Sequence, residues 1–300
     1  MVSEVGGIAK SIERPKPVKR WQAYLLKVPG ATARTKTKRR LAGAALLFSS
    51  LLTGCDAFSS EPTYGGLSIA GFNYTPYNLT RFIITDKYGN RAGGGGDLVP
   101  GSGQGRLSCC YTLKGTEFNV KWELYDADEA LKDIYGPIEK FPKETTVRLP
   151  ATKIEGDLGM RVLGLHFYPD DHVEFEFRTD LRGTRIEYFE IWDWLMTNHE
   201  QLLNPDNKGE TSVMYRRTAR LVANGWLKHR FTDTKDLQQY VYYTLLNPKF
   251  DEYPAVQKII AETREKPGAF GSAMEALPAS TAEALKRGNA ANKKKRASHG

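Results

Sequence analysis

The chain has 300 residues, of which 43 are Lys or Arg and 35 are Asp or Glu, for a formal net charge of +8. Such a basic balance would fit a nucleic-acid-binding protein. However, eleven of the basic residues and only two of the acidic ones lie in residues 1–54. Without that segment the net charge is −1, which argues against a nucleic-acid partner.

The N-terminal segment has the order of a secretory signal. A basic cluster ends at Arg40, and Leu41–Gly54 then carries no charge. Fourteen residues are too few for a helix to cross the ~30 Å hydrocarbon core of a bilayer. A basic, then apolar, then small-residue order instead predicts an exported chain from which residues 1–54 are removed. The stretch before the apolar run is either a long n-region or lies upstream of a true start near Val28.

The end of this segment predicts a lipid anchor. Leu52-Thr53-Gly54-Cys55 resembles a bacterial lipobox, in which cleavage leaves Cys55 as a lipidated N-terminus. The alternative is a buried helix followed by a chance Gly-Cys pair. We predict that Cys55 anchors the chain in the cell envelope, facing the periplasm, and that Asp56 slightly favours the inner membrane.

The next part of the chain predicts β-structure. We expect a polar tether over residues 55–65 and a β domain over 66–180, forming an antiparallel sandwich or a partly open barrel. Phe118, Val120, Trp122 and Leu124 alternate with polar residues, as in a strand with one buried face. The seven predicted strands are 66–74, 79–85, 107–113, 117–126, 145–150, 162–167 and 173–178.

A glycine-rich stretch and two adjacent cysteines interrupt this pattern. Eight of the nineteen residues of Lys87–Gly105 are Gly, which predicts a long loop whose Gly93, Gly94, Gly95 and Gly96 could contact a partner. Cys109 and Cys110 are the only cysteines besides Cys55. Because an exported chain meets oxidising conditions, a vicinal disulfide or a pair of buried thiols is expected, with a structural role.

The spacing of apolar residues becomes helical after residue 183. We predict helices over 186–203, 210–225 with Gly225 as the C-terminal cap, 235–246 capped by Asp233 or Thr234, and 255–266. They make an α-helical region over 184–268, so the fold class is α+β. Residues 269–300 are expected to be a disordered basic tail, with contact to anionic lipid as the alternative.

Few residues indicate chemistry. His166, Asp170, Asp171 and His172 form the tightest group of potential metal ligands, but an ordinary hairpin turn accounts for the two aspartates. Trp192 and Trp194 either belong to the core of their helix or form a partner-binding surface. No common catalytic or nucleotide-binding motif is found, so we predict no catalytic residue, metal or cofactor.

Five short motifs resemble an uncharacterised family of Gram-negative lipoproteins. They are an N-Y-T strand, a Gly run, a Cys-Cys pair, a V-x-W strand and an H-F-x-P-D hairpin, here Asn73–Thr75, Gly93–Gly96, Cys109-Cys110, Val120–Trp122 and His166–Asp170. The resemblance covers residues 64–178, so the helical region lies outside it. Members often accompany type VI secretion phospholipase effectors, and some look like their immunity proteins.

The resemblance implies a binding protein that blocks a secreted lipase-type effector, without being an enzyme. Two alternatives stay open. One is an envelope hydrolase that uses His166, Asp170 or Asp171, and the other is a structural lipoprotein of an envelope complex.

Overall fold

The structure is a computed structural model that describes residues 61–154, 157, 161–180 and 183–287, and only the backbone of residues 104–107. The predicted signal region and Cys55 therefore lie outside the described residues. The fold is α+β, with eight strands followed by a helical region. Among the described residues, no helix is long and apolar enough to span a bilayer.

The strands form two four-stranded sheets. Sheet A has the order β4-β1-β7-β8 and sheet B the order β3-β2-β5-β6. All pairs are antiparallel except β1 with β7, which run parallel. The strands are β1 Thr63–Asn73, β2 Asn78–Asp86, β3 Arg91–Leu98, β4 Gly103–Lys114, β5 Glu117–Tyr125, β6 Phe141–Arg148, β7 Arg161–Phe167 and β8 Val173–Arg178.

The two sheets share one apolar core. Phe82 and Trp122 of sheet B lie against Phe167 of sheet A, with ring centroids 5.1 and 5.6 Å apart. The predicted alternation in β5 is confirmed, because Phe118, Val120, Trp122 and Leu124 are all buried. This packing is compatible with the predicted sandwich, and in the described part of the chain neither sheet closes into a barrel.

Helices cover the other face of sheet A. Phe72 of β1 and Tyr74 just after it belong to a second core built mostly from helical residues, so sheet A is the middle of three layers. The helices are α1 Ala127–Ala130, α2 Tyr188–Leu203, α3 Thr211–His229, α4 Thr234–Leu246, α5 Pro254–Thr263, α6 Ala269–Glu275 and a last helix, α7, over residues 279–287. A short 3₁₀ turn, Phe250–Glu252, precedes α5.

Two helix ends show where sequence reasoning succeeds and fails. Asp233 caps α4 as predicted, because its side chain accepts a hydrogen bond from the Lys235 amide. The expected cap at Gly225 is wrong, since α3 continues to His229 and ends where Arg230 adopts a left-handed conformation. Gly225 is buried instead, and a Cβ there would lie 2.7 Å from the Tyr240 ring. Glycine is needed for the close packing of α3 on α4.

The C-terminal residues 269–287 are part of the fold. The prediction of a disordered tail from residue 269 is wrong for α6 and α7, because Phe270, Met274 and Leu285 are buried in the helical core. The side chain of Asp236 accepts hydrogen bonds from the backbone amides of Gly268 and Gly271, at 2.8 and 2.7 Å. These contacts fix the start of α6 on α4.

The chain enters the β domain at one end of the two sheets, which we call the near end. Thr63 pairs with Lys114, and Glu61 contacts Lys87 and Tyr88 in the turn between β2 and β3. The tether is thus shorter than predicted, since β1 already begins at Thr63. The nine residues of β5 run from this near end to the opposite, far end, a distance of about 26 Å.

Candidate functional site

His166 is the centre of a closed polar network rather than an accessible site. It lies on β7, and its side chain is fully buried. Its Nε2 lies 2.8 Å from the carboxylate of Glu176, and its Nδ1 lies 3.1 Å from the hydroxyl of Tyr74. Because a carboxylate only accepts, Nε2–H is the donor and Nδ1 accepts from Tyr74. Both ring nitrogens are therefore occupied.

The network is also bonded to the helical region and surrounded by arginines. The Tyr74 hydroxyl accepts a hydrogen bond from the backbone amide of Arg185, which ties the start of the helical region to sheet A. Burial, followed by the charges of Arg185 and Arg178, lowers the pKa of His166 to about 3. The imidazole is therefore neutral at physiological pH.

This neutral state makes stability depend on pH. The unfolded chain takes up a proton at His166 near pH 6.5, whereas the folded chain does not until about pH 3. The stabilisation that comes from keeping His166 neutral in the folded chain is complete above pH 6.5 and is lost as the pH falls towards 3. We expect stability to decrease by up to about 2 kcal/mol between pH 7 and pH 5. Urea unfolding at both pH values should show that the free energy of unfolding decreases less between pH 7 and pH 5 in His166→Gln than in the wild-type chain. Equal decreases in the two chains would mean that His166 is not the source of the pH dependence.

The other three residues of the predicted cluster lie apart from His166, on the turn between β7 and β8. Asp171 pairs with Lys143 at 2.7 Å, and Asp170 pairs with Arg230 at 3.1 Å. The ring of His172 stacks on Tyr168, with centroids 4.3 Å apart. Among the described residues, no three His, Cys, Asp or Glu side chains are grouped so that they could hold a metal ion. The turn thus fastens the hairpin to β6 and α3.

The glycine-rich stretch forms strands, so the expected long loop is wrong. Gly93–Gly96 lie within β3, at the edge of sheet B. A Cβ on Gly93 would lie 2.7 Å from the Phe82 carbonyl oxygen, and Gly95 has a φ of +129° that other residues rarely adopt. Glycine is required for β3 to pair closely with β2. The four glycines also line a shallow depression of about 610 Å³ beside Arg81 and Tyr111.

Cys109 and Cys110 are free thiols, and both are exposed. The structure therefore has neither the predicted disulfide nor the predicted buried pair. The reason lies in the pairing of β4 with β1, where Tyr111 and Ser108 oppose Leu67 and Ile69, so that β4 has one extra residue. A β-bulge at the cysteines explains both their exposure and the φ of +72° at Cys110.

Trp192 and Trp194 belong to the helical core more than to the surface. Both are half-buried on α2. The Trp192 ring lies 5.8 Å from Tyr215, and the Trp194 ring lies 6.3 Å from Tyr242. These contacts favour the core interpretation over a partner-binding surface.

The most unusual surface feature was missed by the sequence analysis. Residues 126–140 connect β5 to β6 at the far end, and we call them the apolar loop. Four large apolar side chains of this loop are exposed to solvent: Leu131 by 55%, Ile134 by 68%, Tyr135 by 95% and Ile138 by 51%. Isolated exposed apolar residues are common, but four within eight positions indicate a contact surface.

Both ends of the apolar loop are fixed to the rest of the protein. At its start, Asp126 caps α1, and Asp128 forms ion pairs with Arg216 and Arg220 of α3. Burial raises the pKa of Asp128, but hydrogen bonds from the two arginines outweigh this and hold the pKa below its usual value. At its end, Lys140 pairs with Glu123 at 3.3 Å. The exposed side chains are therefore presented by an ordered support.

Comparison with protein-family models, with curated proteins and with solved structures finds no match to this chain.

Proposed function

We propose that the chain is a lipid-anchored, periplasm-facing binding protein that inhibits a secreted lipase-type effector of type VI secretion by direct contact. The observation that supports a binding role is the exposed apolar loop, whereas the lipase-type effector is what the resemblance of the five sequence motifs implies. Large apolar side chains held in water by an ordered support are stabilised only when another surface covers them. Binding, rather than turnover, is the role that such a loop can perform.

The position of the loop fits a tethered inhibitor. About seven residues separate the proposed anchor Cys55 from β1, and they can span at most ~25 Å. The near end is thereby kept close to the membrane. The apolar loop lies at the far end, where it can meet a soluble protein in the periplasm before that protein reaches the lipid.

The hydrolase alternative has less support. Its candidate residues do not form one site, because His166 is fully buried and bonded at both nitrogens, whereas Asp170 and Asp171 pair with Arg230 and Lys143. A general acid or base must reach its substrate within hydrogen-bonding distance. A structural role in an envelope complex remains the other alternative to be separated by the experiment described next.

The test is co-expression of the full chain with a type VI lipase-type effector from the same genome, exported to the periplasm. We expect survival of the cells and a complex that remains intact through purification. Cys55→Ala should reduce protection by releasing the chain from the membrane fraction, and mass spectrometry of the N-terminus checks the lipid directly. Absence of both protection and complex, together with hydrolase activity of the purified chain, would replace the proposal with the enzyme alternative.

A further inference from the structure

We propose that the apolar loop enters the cleft of the lipase that receives the acyl chain of its substrate, and that it blocks catalysis by excluding that chain. This inference rests on the proposed function and specifies its contact. Leu131, Ile134, Tyr135 and Ile138 would occupy the place of a lipid tail. The occupant of the loop surface is therefore an apolar cleft and not a charged surface.

The charge of the loop favours an apolar cleft. The apolar loop contains two lysines and five acidic residues, so its net charge is −3. Both lysines are paired with glutamates, Lys132 with Glu129 at 2.7 Å and Lys140 with Glu123 at 3.3 Å. A loop that binds anionic phospholipid headgroups would carry an excess of unpaired Lys and Arg. The apolar side chains are thus the main chemistry that the loop offers.

The composition of the tip suits insertion into a cleft. Tyr135 is 95% exposed, and Ile134 beside it is 68% exposed, so almost the whole of both side chains is available to a partner. Buried aromatic anchors at the centre of an interface carry most of its binding energy. We infer that these two residues are the anchors and that Leu131 and Ile138 contact the walls of the cleft.

The fixed ends of the loop lower the cost of binding. Asp128 is held by two arginines of α3, and the ring of Phe141, directly after the loop, lies 5.5 Å from that of Tyr77. Backbone turns at Lys132 and Gly136 further restrict the segment between them. Because a preordered loop loses little conformational freedom on binding, most of its contact energy is available for affinity.

The experiment compares a double variant at the far end of the β domain with a single-tyrosine control at the near end. The double variant Ile134→Ser/Tyr135→Ser removes the anchors. The control Tyr88→Ser removes an exposed tyrosine at the near end, where Tyr88 is 51% exposed. The full lipoprotein is placed in nanodiscs of ether lipids, which a lipase cannot cleave, and its Kd for the purified lipase is measured. Thermal unfolding of each variant checks that folding is unchanged.

We expect the double variant to raise the Kd at least 30-fold and the control to leave it within about threefold. A lipase whose active-site serine carries a long-chain alkyl phosphonate should bind the wild-type chain at least 30-fold more weakly, whereas a methyl phosphonate should have little effect. Both results together support occupation of the acyl-chain cleft.

Other outcomes overturn this inference and separate it from the proposed function. If the wild-type chain binds and protects but the double variant binds equally well, the contact lies elsewhere while the inhibitor function stands. If only the phosphonate comparison fails, the loop contacts a different part of the lipase. If the unlipidated Cys55→Ser chain binds anionic vesicles through the loop, or dimerises through it, the occupant is a membrane or a second copy. If the wild-type chain does not bind the lipase at all, the proposed function itself fails.

Discussion

Removal of residues 269–300 is expected to unfold the helical region or to make the protein insoluble. The deletion takes away Phe270, Met274 and Leu285, each buried to at least 99% in the core that also contains residues of sheet A. Burial of a large apolar side chain contributes roughly 1.5–3 kcal/mol. For three side chains the loss is about 4.5–9 kcal/mol, which is comparable with the whole stability of an ordinary domain, about 5–15 kcal/mol.

The matched control is removal of residues 288–300 alone. This shorter deletion takes most of the basic tail but leaves α6 and α7 in place, so we expect unfolding curves like those of the full chain. Urea unfolding followed by circular dichroism measures both deletions. If the longer deletion were as stable as the shorter one, α6 and α7 would not belong to the fold.

The sequence pattern predicted the central strands well, because their side chains alternate. In β5 and in the β7–β8 hairpin, apolar residues at every second position point into the core between the sheets. The same reasoning failed at β3, where Gly93–Gly96 have no side chains to alternate. Only the close approach of β2 explains why glycines stand in that strand.

The pairing of β1 with β7 is a second feature that local patterns could not reveal. These parallel strands are nearly a hundred residues apart, and they bring Tyr74 beside His166. A group of histidines and aspartates close together in sequence was therefore misleading. One partner of His166, Tyr74, follows the distant strand β1, and the other, Glu176, lies on the neighbouring strand β8, whereas the aspartates serve the adjacent turn.

The apolar loop escaped prediction for a different reason. Leu131, Ile134, Tyr135 and Ile138 have the composition of a core segment, and nothing in their order distinguishes exposed from buried apolar residues. The signal becomes visible only when the exposed fraction of each side chain is known. A contact surface made of apolar residues is thus harder to recognise from sequence than a charged one.

Replacement of Gly101 by Ala is expected to lower the free energy of unfolding by about 3–5 kcal/mol. This is the largest effect that we predict for the addition of one methyl group. Gly101 lies in the turn between β3 and β4 and has a φ of +72°. A Cβ there would lie 2.2 Å from the Cβ of Tyr188, the first residue of α2. The substitution therefore combines backbone strain of about 1–3 kcal/mol with a collision between the β domain and the helical region.

The neighbours of Gly101 leave little room for adjustment. Its amide donates a hydrogen bond to the Asn73 carbonyl, at 2.6 Å, and the Tyr188 hydroxyl donates to the Tyr74 carbonyl, also at 2.6 Å.

The matched control is Gly89→Ala, since Gly89 has a φ of +87° but no atom within 4 Å of the added Cβ. Gly89→Ala should therefore show the strain alone, measured by urea unfolding as the difference from wild type. Equal losses in the two variants would mean that the contact of the β3–β4 turn with Tyr188 contributes nothing. A larger loss for Gly101→Ala would show that the β3–β4 turn is held so closely against Tyr188 that a methyl group cannot be accommodated between the β domain and the helical region.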